Sequence, residues 1–565
     1  MKNIITIVGI SSTLFLMQTL SFAQKVTEQT QDLPKAAAKG YFYGAELNSE
    51  SGNIEVTYQL KGKKKDELIN YQTFIFDQDA KFLSNNENKP SVPNGKEDYT
   101  REVITAQLGN GRGMSVMSLK LFVNKSTLTY KWNKRKQKYY YSVTSQEQVK
   151  LKNDDEKTYT GYAAYSNYQN GEMMLLGMSL NDGKRRQISI LNIKPDLSVK
   201  DIPLDVKDGM QSLAFADLIS KDHTKQNVDD LDDADMVFVF SPKYDKKVKV
   251  DFNKYTYMRI DNTGKVKERI DLDLPSPNLV INGIHQDNKG AVYLVGSYSS
   301  KDDEPFEKRY GECVYINNPV MESGAPNVRM ENYEKKLIKE NKDVFATIKI
   351  ENGAVVSIVS NDIKSLKSLA KSPSGQKKAK PYDGGMFLIQ NFDGLPNGGF
   401  LITGQKIAYT KPKGTKYAMR AYKDLVCIQL DNTGKVVAQY CISPQTIKSK
   451  ENTIFPILQK LNIAQDGQTA YLQLLENKSS KQKDNGGFMG GVAGNSAAIS
   501  YSSNYYPSVV KLNIANQTIS DYTLLGKRKF EVWNSCPYLW DSKNNALIYV
   551  GSDGDKLWIG KYEMM

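Results

Sequence analysis

The sequence contains little cysteine and almost no histidine. Among its 565 residues are four cysteines and two histidines: Cys313, Cys427, Cys441, Cys536, His223 and His285. No two of the cysteines form a CxxC pair, and the histidines lie far apart in the chain. These patterns exclude a disulfide-rich scaffold and the usual cysteine and histidine zinc motifs. The sequence therefore predicts no metal ligands and no cofactor.

Long apolar segments are missing beyond the first residues of the chain. The opening MKNIITIVGISSTLFLMQTLSFAQKV predicts a secretory signal peptide over residues 1–23, cleaved after Ala23, because a lysine, an apolar run and small residues follow in that order. Later apolar runs such as MVFVF at 236–240 are far shorter than the ~20 residues of a membrane-spanning helix. We therefore expect an extracytoplasmic protein (periplasm, cell surface or secreted) without a transmembrane segment after cleavage, beginning with an N-terminal extension over 24–39.

Motifs of common catalytic and phosphate-binding sites are also missing. GMSVM (113–117) and GNSAA (494–498) lack the final glycine of GxSxG, and GNGRGMS (109–115) lacks the lysine of a phosphate-binding loop. A serine triad assembled from distant residues could use His223 or His285, but a packed or surface imidazole is the simpler interpretation of His285. The sequence predicts no catalytic, cofactor-binding or metal-binding residue.

Three polar segments have simpler structural interpretations. VDDLDDAD (228–235) holds five aspartates but lacks the spacing of a calcium loop, so a solvated loop is expected. Tyr501, Tyr505 and Tyr506 could stack on sugar rings, but composition and loop packing are the favoured explanation. SDGDKLW (552–558) lacks the residue order of an Asp-box and is predicted to be a hairpin turn.

The charge balance is basic, with 76 lysines and arginines against 63 acidic residues. Such an excess attracts anionic partners, which outside the cytoplasm would be acidic glycans or lipopolysaccharide and not nucleic acid. The positive charge is scattered in short runs such as KGKKK (61–65) and KRKQK (134–138). These runs are typical of solvated hairpin tips, so the charge alone identifies no partner.

One short segment is present twice. DNTGKV occupies 261–266 and again 431–436, each time between strand-like apolar runs. Aspartate and asparagine bond to their own backbone and glycine adopts positive φ freely, so the segment predicts a β-hairpin. Seven hairpins of this kind are predicted, with turns marked by Asp77, Asn133, Asp196, Asp261, Glu351, Asp431 and Asn516.

A second recurrent element precedes most of these hairpins. It is an apolar strand that often begins or ends on glycine, with copies at 171–180, 234–243, 290–299, 398–407, 468–477 and 545–554. Repetition of a few antiparallel strands along a chain of this length predicts an all-β, β-propeller-like domain over 40–565, with about seven blades (six to eight). Long insertions are expected near 301–343, 361–385 and 478–507. Tandem β-sandwich domains are the alternative.

The alternation of YLVG-like strands with DNTGK-like hairpins resembles the secreted β-propeller-repeat proteins of Gram-negative cell envelopes. The resemblance implies a fold and an extracytoplasmic setting, but no chemistry. Because no catalytic motif is found, we expect a non-catalytic binding or scaffold protein that presents its loops to a protein or glycan partner. The alternative is a propeller enzyme, a hydrolase or lyase acting on a polysaccharide or peptide, with its site in the central depression.

Two structural predictions follow from the ends of the chain and from the second hairpin. The last strands, near 545–563, should pair with a strand from the first 90 residues, because the final blade otherwise has an exposed edge. If DNTG is the whole loop of the second hairpin, Cys427 faces Ala438 and Cys441 lies on the opposite face. These two cysteines should therefore not form a disulfide.

Overall fold

The computed structural model describes residues 25–564 apart from a set of internal segments. These segments are 63–66, 87–91, 111–118, 135–137, 151–157, 167–169, 182–183, 207–210, 222–230, 248–249, 311–339, 341, 375–378, 411–418, 444–457, 465, 478–503, 521 and 534–537. The signal peptide over 1–23 and its cleavage site at Ala23 lie outside the described residues, as do His223, Tyr501, Cys313 and Cys536.

Helices are short in the described part of the chain. They are α1 (Lys35–Ala38), α2 (Phe306–Tyr310) and α3 (Ile363–Leu366), with 3-10 turns at Lys367–Leu369 and Gly526–Arg528. No helix among the described residues is long and apolar enough to cross a membrane. Strands make up the rest of the regular structure, so the prediction of an all-β fold is confirmed.

Four sheets contain four antiparallel strands, each paired with the next in chain order. They are β2 (Tyr41–Leu47), β3 (Ile54–Gln59), β5 (Tyr71–Phe76) and β6 (Phe82–Asn86); β11 (Thr158–Ser166), β12 (Met173–Asn181), β13 (Lys184–Ile193) and β14 (Val199–Pro203); β15 (Gln211–Ser220), β16 (Ala234–Pro242), β17 (Lys254–Ile260) and β18 (Val266–Asp273); and β19 (Val280–Gln286), β20 (Val292–Tyr298), β21 (Val344–Glu351) and β22 (Ala354–Asp362).

Two larger sheets follow the same plan. The five-stranded sheet contains β24 (Phe387–Gly394), β25 (Phe400–Thr410), β26 (Met419–Leu430) and β27 (Val436–Ile442), with the short β23 (Ala370–Lys371) parallel to β27. The ten-stranded sheet contains β28 (Leu458–Ile463), β29 (Thr469–Asn477), β30 (Asn504–Asn513), β31 (Thr518–Ile519), β32 (Thr523–Leu524), β33 (Glu531–Trp533), β34 (Leu539–Asp541), β35 (Ala546–Asp553), β36 (Lys556–Glu563) and β1 (Val26–Asp32).

Two further sheets are smaller. One has three strands, β8 (Tyr99–Asn110), β9 (Leu119–Asn133) and β10 (Lys138–Lys150), and the other pairs β4 (Leu68–Ile69) with β7 (Val92–Pro93).

The large sheets pack face to face in chain order around a common axis. Contacts between the first strands of successive units, β15 with β19, β19 with β24 and β24 with β28, place these strands innermost. Six clusters of buried apolar side chains fill the spaces between neighbouring units. This succession of radially packed antiparallel sheets is a β-propeller arrangement.

The blade number lies within the predicted range of six to eight. Six described sheets have four or more strands, which gives six blades when each sheet is counted once. The ten-stranded sheet has two halves, β28 to β32 and β34 to β36 with β1, joined through β33. All seven predicted hairpins are present, but the one at Asn133 belongs to the three-stranded sheet and marks no large blade.

Chain closure occurs as the sequence predicted. Strand β1 pairs antiparallel with β36 over seven residues, from Val26 opposite Tyr562 to Asp32 opposite Lys556. The segment expected to be an N-terminal extension thus supplies the outermost strand of the last unit. Because the two ends of the chain share one sheet, tandem sandwiches are ruled out.

The two DNTGK turns have the same geometry. In each, the aspartate Oδ1 accepts hydrogen bonds from the hydroxyl and N–H of the threonine two residues later and from the lysine N–H. Gly264 and Gly434 adopt φ of +86° and +90°, and each donates to the aspartate carbonyl at 3.0 Å. These local bonds explain why the same six residues fold identically in two blades.

The predicted register of the second hairpin was wrong, although its consequence for the cysteines holds. Five residues, 431–435, separate the strands, and a bulge follows at Gln429, so Cys427 faces Tyr440 and not Ala438. The left-handed Gly434 causes this shift, since it adds a residue to one arm. Cys441 faces Val426 and packs in a different apolar cluster from Cys427, so both thiols are buried and free.

The two ends of the blades differ in construction. Because strands alternate in direction, the turns joining first to second and third to fourth strands share one end of the units, which we call the turn end. The connections from second to third strand, and from one unit to the next, share the other end, the connection end. The three predicted insertions, near 301–343, 361–385 and 478–507, follow β20, β22 and β29 in the chain, and these strands end at the connection end.

Candidate active site

His285 is a packed core residue, as expected. It is 3% exposed on β19, and its Nδ1 lies 2.6 Å from the carbonyl oxygen of Phe392. Its ring also packs against Phe392 and Phe400. Burial lowers the pKa of His285, so the imidazole is neutral at physiological pH and connects two inner strands.

The acidic run at 228–235 is only partly described, and its last residue is not solvated. Asp235 is fully buried at the start of β16, where its carboxylate accepts from Arg259 Nε at 2.7 Å and from Lys267 Nζ at 2.9 Å. The expectation of a solvated loop is therefore wrong for Asp235, because two cations from the neighbouring strands compensate the buried charge. No cluster of three metal-ligating side chains occurs among the described residues.

The tyrosines and the proposed turn near the C-terminus have structural roles. Tyr505 and Tyr506 lie on β30, and Tyr506 is buried. SDGDKLW forms the hairpin between β35 and β36, with Gly554 at φ +63°. The catalytic motif fragments at 113–117 and 494–498 lie outside the described residues.

The innermost strands carry an irregularity that recurs from unit to unit. β2, β11, β15, β19 and β24 each contain a β-bulge against their second strand. A bulge leaves one residue outside the ladder and redirects its side chain. In β24 that residue is Gln390, between the paired Ile389 and Asn391.

A cluster of polar side chains surrounds this bulge, and sequence reasoning missed it. We call it the inner-strand cluster: Gln390 and Asp393 on β24, Gln459, Lys460 and Asn462 on β28, and Tyr538 before β34. Lys460 Nζ donates to the Tyr538 hydroxyl and lies 4.7 Å from the centre of its ring. Asn391 Nδ2 bridges the two strands, with the Gln459 carbonyl 3.5 Å away.

Asp393 supplies the carboxyl group of the cluster, and its pKa is strongly perturbed. Burial raises its pKa to about 6, and the charge of Lys460 partly offsets that effect. The buried Cys427 thiol lies nearby on β26, and its own pKa is raised first by burial and then by the Asp393 charge. A carboxyl group with such a pKa exchanges a proton readily near neutral pH.

Several amide atoms on β24 and β28 are buried without a hydrogen-bond partner in the described part of the chain. They are Oε1 of Gln390, both Oε1 and Nε2 of Gln459, and Nδ2 of Asn462. Most buried polar atoms in proteins are paired, so unpaired ones mark a position that a ligand or water fills. Both donors and acceptors are present, which suits a ligand rich in hydroxyl groups.

A second group of perturbed residues lies at the connection end. Lys342 is 4% exposed, and burial lowers its pKa to about 8. Its Nζ lies 5.5 Å from the ring centre of Tyr310, while Arg309 Nε donates to Glu340 at 3.0 Å. Phe306 and Tyr310 belong to the apolar cluster between the β15 and β19 units, so this group attaches the insertion to the core.

Comparison with known proteins concerns the fold. No protein-family model and no curated protein sequence matches the chain. Among solved structures, it is similar to an α-L-arabinofuranosidase of Fusarium graminearum (9% identity, 73% of this chain and 94% of that chain, TM-score 0.25). It is also similar to an ulvan lyase of polysaccharide lyase family 25 (9%, 80% and 92%, 0.27) and to an apocarotenoid oxygenase of Synechocystis (9%, 83% and 94%, 0.29).

These neighbours are β-propeller proteins, and all three are described as enzymes. The expectation of a non-catalytic binding or scaffold protein finds no support among these neighbours. The likeness concerns the fold alone at this level of identity. Any assignment of chemistry therefore depends on the residues of this chain.

Proposed function

We propose that this chain is a propeller enzyme, a hydrolase or lyase that acts on a polysaccharide at the inner-strand cluster. The observation that carries the proposal is the position of Asp393. Its carboxyl group, with a pKa of about 6, lies on the innermost strand β24, and β24 and the adjacent innermost strand β28 carry buried amide atoms that have no partner in the described residues. Perturbed titratable groups in such surroundings are typical of catalytic sites.

Asp393 acts as the general acid or base in this proposal. A carboxyl group with a pKa of about 6 is partly protonated at neutral pH, so it can donate to a leaving glycosidic oxygen or accept a proton from the substrate. An ordinary aspartate is almost fully ionised at that pH and is a poor donor. Asp393 differs from an ordinary aspartate because its burial on β24 raises its pKa.

The amide groups of Gln390, Gln459 and Asn462 bind the substrate. Sugar hydroxyls both donate and accept hydrogen bonds, and neighbouring hydroxyls can pair with the Nε2 and Oε1 atoms of one glutamine side chain. A peptide would need an extended run of backbone partners, whereas these amides are separate points on two strands. The arrangement therefore favours a polysaccharide over a peptide.

Lys460 lowers the pKa of Asp393, the proposed acid or base. Its ammonium lowers the pKa of Asp393 from the value that burial alone would produce. The contact with Tyr538 holds the lysine on the side of β28 that faces β34. Replacing Lys460 with methionine should raise the pKa of Asp393 and shift the alkaline limb of the kcat/KM profile to higher pH.

The test is an activity screen of the protein lacking residues 1–23 on polygalacturonate, alginate, arabinan and xylan. New reducing ends report chain cleavage, and ultraviolet absorbance of an unsaturated product distinguishes elimination from hydrolysis. Asp393→Asn should reduce kcat by about 10²- to 10⁴-fold. Asp431→Asn is the matched control, since it makes the same change at an outer hairpin of the same unit and should leave kcat unchanged. Equal activity of Asp393→Asn and the parent protein would contradict the proposal.

The cellular setting is part of the same proposal. We infer an extracytoplasmic location in a Gram-negative envelope. The signal-like opening of the sequence and the alternation of YLVG-like strands with DNTGK-like hairpins support this location. We also take the two halves of the ten-stranded sheet as separate blades, which gives about seven. Fractionation of cells expressing the full chain, with sequencing of the mature N-terminus, tests the location and the cleavage after Ala23. Recovery of uncleaved protein in the cytoplasm would contradict it.

A further inference from the structure

The three-stranded sheet carries an aromatic surface that plays no part in the proposed active site. Tyr99 on β8, Tyr130 on β9 and Tyr141 on β10 lie directly opposite one another in the register. Trp132 and Tyr139 form the next row on the same face. We call these five side chains the aromatic face.

The aromatic face is open to solvent. Tyr99 is 46% exposed and Tyr141 is 66% exposed. Tyr99 and Tyr130 stack with ring centres 4.6 Å apart, and Tyr130 and Tyr141 lie 5.6 Å apart. Folding alone does not require a row of large aromatic side chains at this exposure, and such patches mark binding sites.

The charges around the aromatic face are mixed. Arg101, two residues after Tyr99, lies on the same face opposite Leu128, and no described carboxylate is within ion-pair distance of it. Lys96 Nζ lies 5.1 Å from the ring centre of Trp132. Asp98 Oδ1 accepts from the Trp132 N–H at 2.9 Å, and the Tyr139 hydroxyl donates to the Glu97 carbonyl oxygen, so two acidic residues border the Trp132 and Tyr139 row. The aromatic face therefore combines rings with two cations, and the carboxylates lie at one edge of it.

We propose that the aromatic face binds an acidic polysaccharide. The ring faces pack against the C–H faces of sugars, the tyrosine hydroxyls bond to sugar hydroxyls, and Arg101 and Lys96 pair with carboxylates spaced along the chain. Arg101 and Lys96 can pair with two carboxylates of a uronic acid polymer, which carries one carboxylate on each residue. Nucleic acids are bound through many more cations than these two. The surface is separate from Asp393, so the proposal goes beyond the function proposed above.

Adjacent tyrosines provide a matched pair of variants. Tyr140 is also exposed, at 38%, but alternation along β10 places it on the face opposite Tyr141. Retardation in native gels containing polygalacturonate, with dextran gels as the neutral comparison, measures binding. The parent protein should be retarded by polygalacturonate and not by dextran. Tyr141→Ala and Arg101→Ala should each weaken the affinity about five- to tenfold, and Tyr140→Ala should leave it unchanged.

Several results would overturn this proposal. They are equal retardation by dextran, no retardation by polygalacturonate, or the same loss in Tyr140→Ala and Tyr141→Ala. Displacement of polygalacturonate by an oligothymidine of equal charge would identify a nucleic-acid surface instead. A change of oligomeric state in Tyr141→Ala, measured by light scattering, would identify a contact between two copies of the chain. Asp393→Asn should bind polygalacturonate like the parent protein, so failure of the enzyme proposal and failure of this one are distinguishable.

Discussion

The turn end and the connection end of the blades are held together by different kinds of contact. At the turn end, Asp261 and Asp431 bond to residues two and four positions further along the chain. At the connection end, Arg309 pairs with Glu340, and the Lys342 N–H donates to the Gly384 carbonyl of the next connection. One end is therefore specified locally, and the other depends on segments distant in sequence.

This difference distinguishes the turns that recur from blade to blade from the side chains whose pKa values are perturbed. Short local turns can be copied from blade to blade because each folds by itself. Perturbed side chains arise from contacts between segments distant in sequence, at either end: Asp393 lies near the turn end of β24 beside β28, and Lys342 lies beside Tyr310 at the connection end. Four measurements test the contrast between local turns and contacts of distant segments.

The largest expected effect is that of Gly384→Ala at the connection end. Gly384 has φ +86°, and an added Cβ would lie 2.0 Å from the carbonyl oxygen of Lys342, which is backbone and cannot turn away. We expect a loss of more than about 4 kcal/mol in the free energy of unfolding, or no folded protein. Gly434→Ala, at φ +90° in a turn, meets only the Thr347 side chain at 3.1 Å and should cost about 1–2 kcal/mol. Urea denaturation measures both, and equal losses would remove the contrast.

Lys342→Met tests the buried amine of the connection end. Burial lowers the pKa of Lys342 to about 8, so the unfolded chain binds this proton more readily than the folded protein does. The stability of the parent protein should therefore rise between pH 8 and pH 10, by up to about 3 kcal/mol. The variant should lack this rise and be the more stable protein at pH 7. Lys349→Met is the control, at a partly buried lysine whose pKa the Glu351 carboxylate raises, and it should keep the rise. A rise that persists in Lys342→Met would contradict the assignment.

Asp393→Asn should have the opposite pH dependence. The pKa of Asp393 is raised to about 6, so the carboxyl group favours the folded state at low pH and opposes it once ionised. Because Asp393 is half-buried, the effect is discounted for solvent screening to about 1–2 kcal/mol. Thermal unfolding should show the variant to be more stable than the parent at pH 8 and equal to it at pH 4. A variant that is less stable at pH 8 would mean that the ionised carboxylate has a structural partner.

Asp261→Ala and Asp431→Ala should have the smallest effects, and nearly equal ones. Partial burial opposes ionisation at both positions, but hydrogen bonds from the threonine and lysine of each turn lower the pKa of Asp261 and of Asp431. Each substitution should cost about 1 kcal/mol at pH 7, and the loss should disappear as the pH falls through about 4. Unfolding free energies that differ by more than about 0.5 kcal/mol would show that blade context, and not the turn itself, determines this contribution.

The sequence predicted the fold to the extent that local chemistry determines it. Asp261 and Asp431 identified hairpins because the turn residues supply their own hydrogen bonds. Closure of the chain was also predictable, since the last strands lack a partner. The register was not, because a left-handed Gly434 and its bulge depend on backbone geometry that the letters DNTG leave open.

The candidate site was not predictable by the same means. Asp393 lies in NFDGLPNGG, which resembles one more strand and turn, and its raised pKa depends on burial beside strands of another unit. The Oε1 and Nε2 atoms of Gln459 are buried without a partner, and this can be recognised only in the structure, where β28 packs beside β24. A clearer signal was present at Tyr99, Tyr130 and Tyr141, because tyrosines occur on three successive strands, in the segments YTRE, YKWN and KYYYS.

The pairing of β1 with β36 also determines the order of events during folding. Strand β1 is synthesised long before its partner β36, which is complete only after Glu563 has been made, so the units between them can fold before this sheet gains its outer edge. Contacts between such distant segments form slowly, because the loop between them must be closed first. Until then the Lys556–Glu563 strand offers an unpaired edge to any neighbouring chain. Folding yield should therefore fall steeply with protein concentration, and a synthetic peptide of residues 25–33 added during refolding should compete with closure and reduce the fraction of native protein.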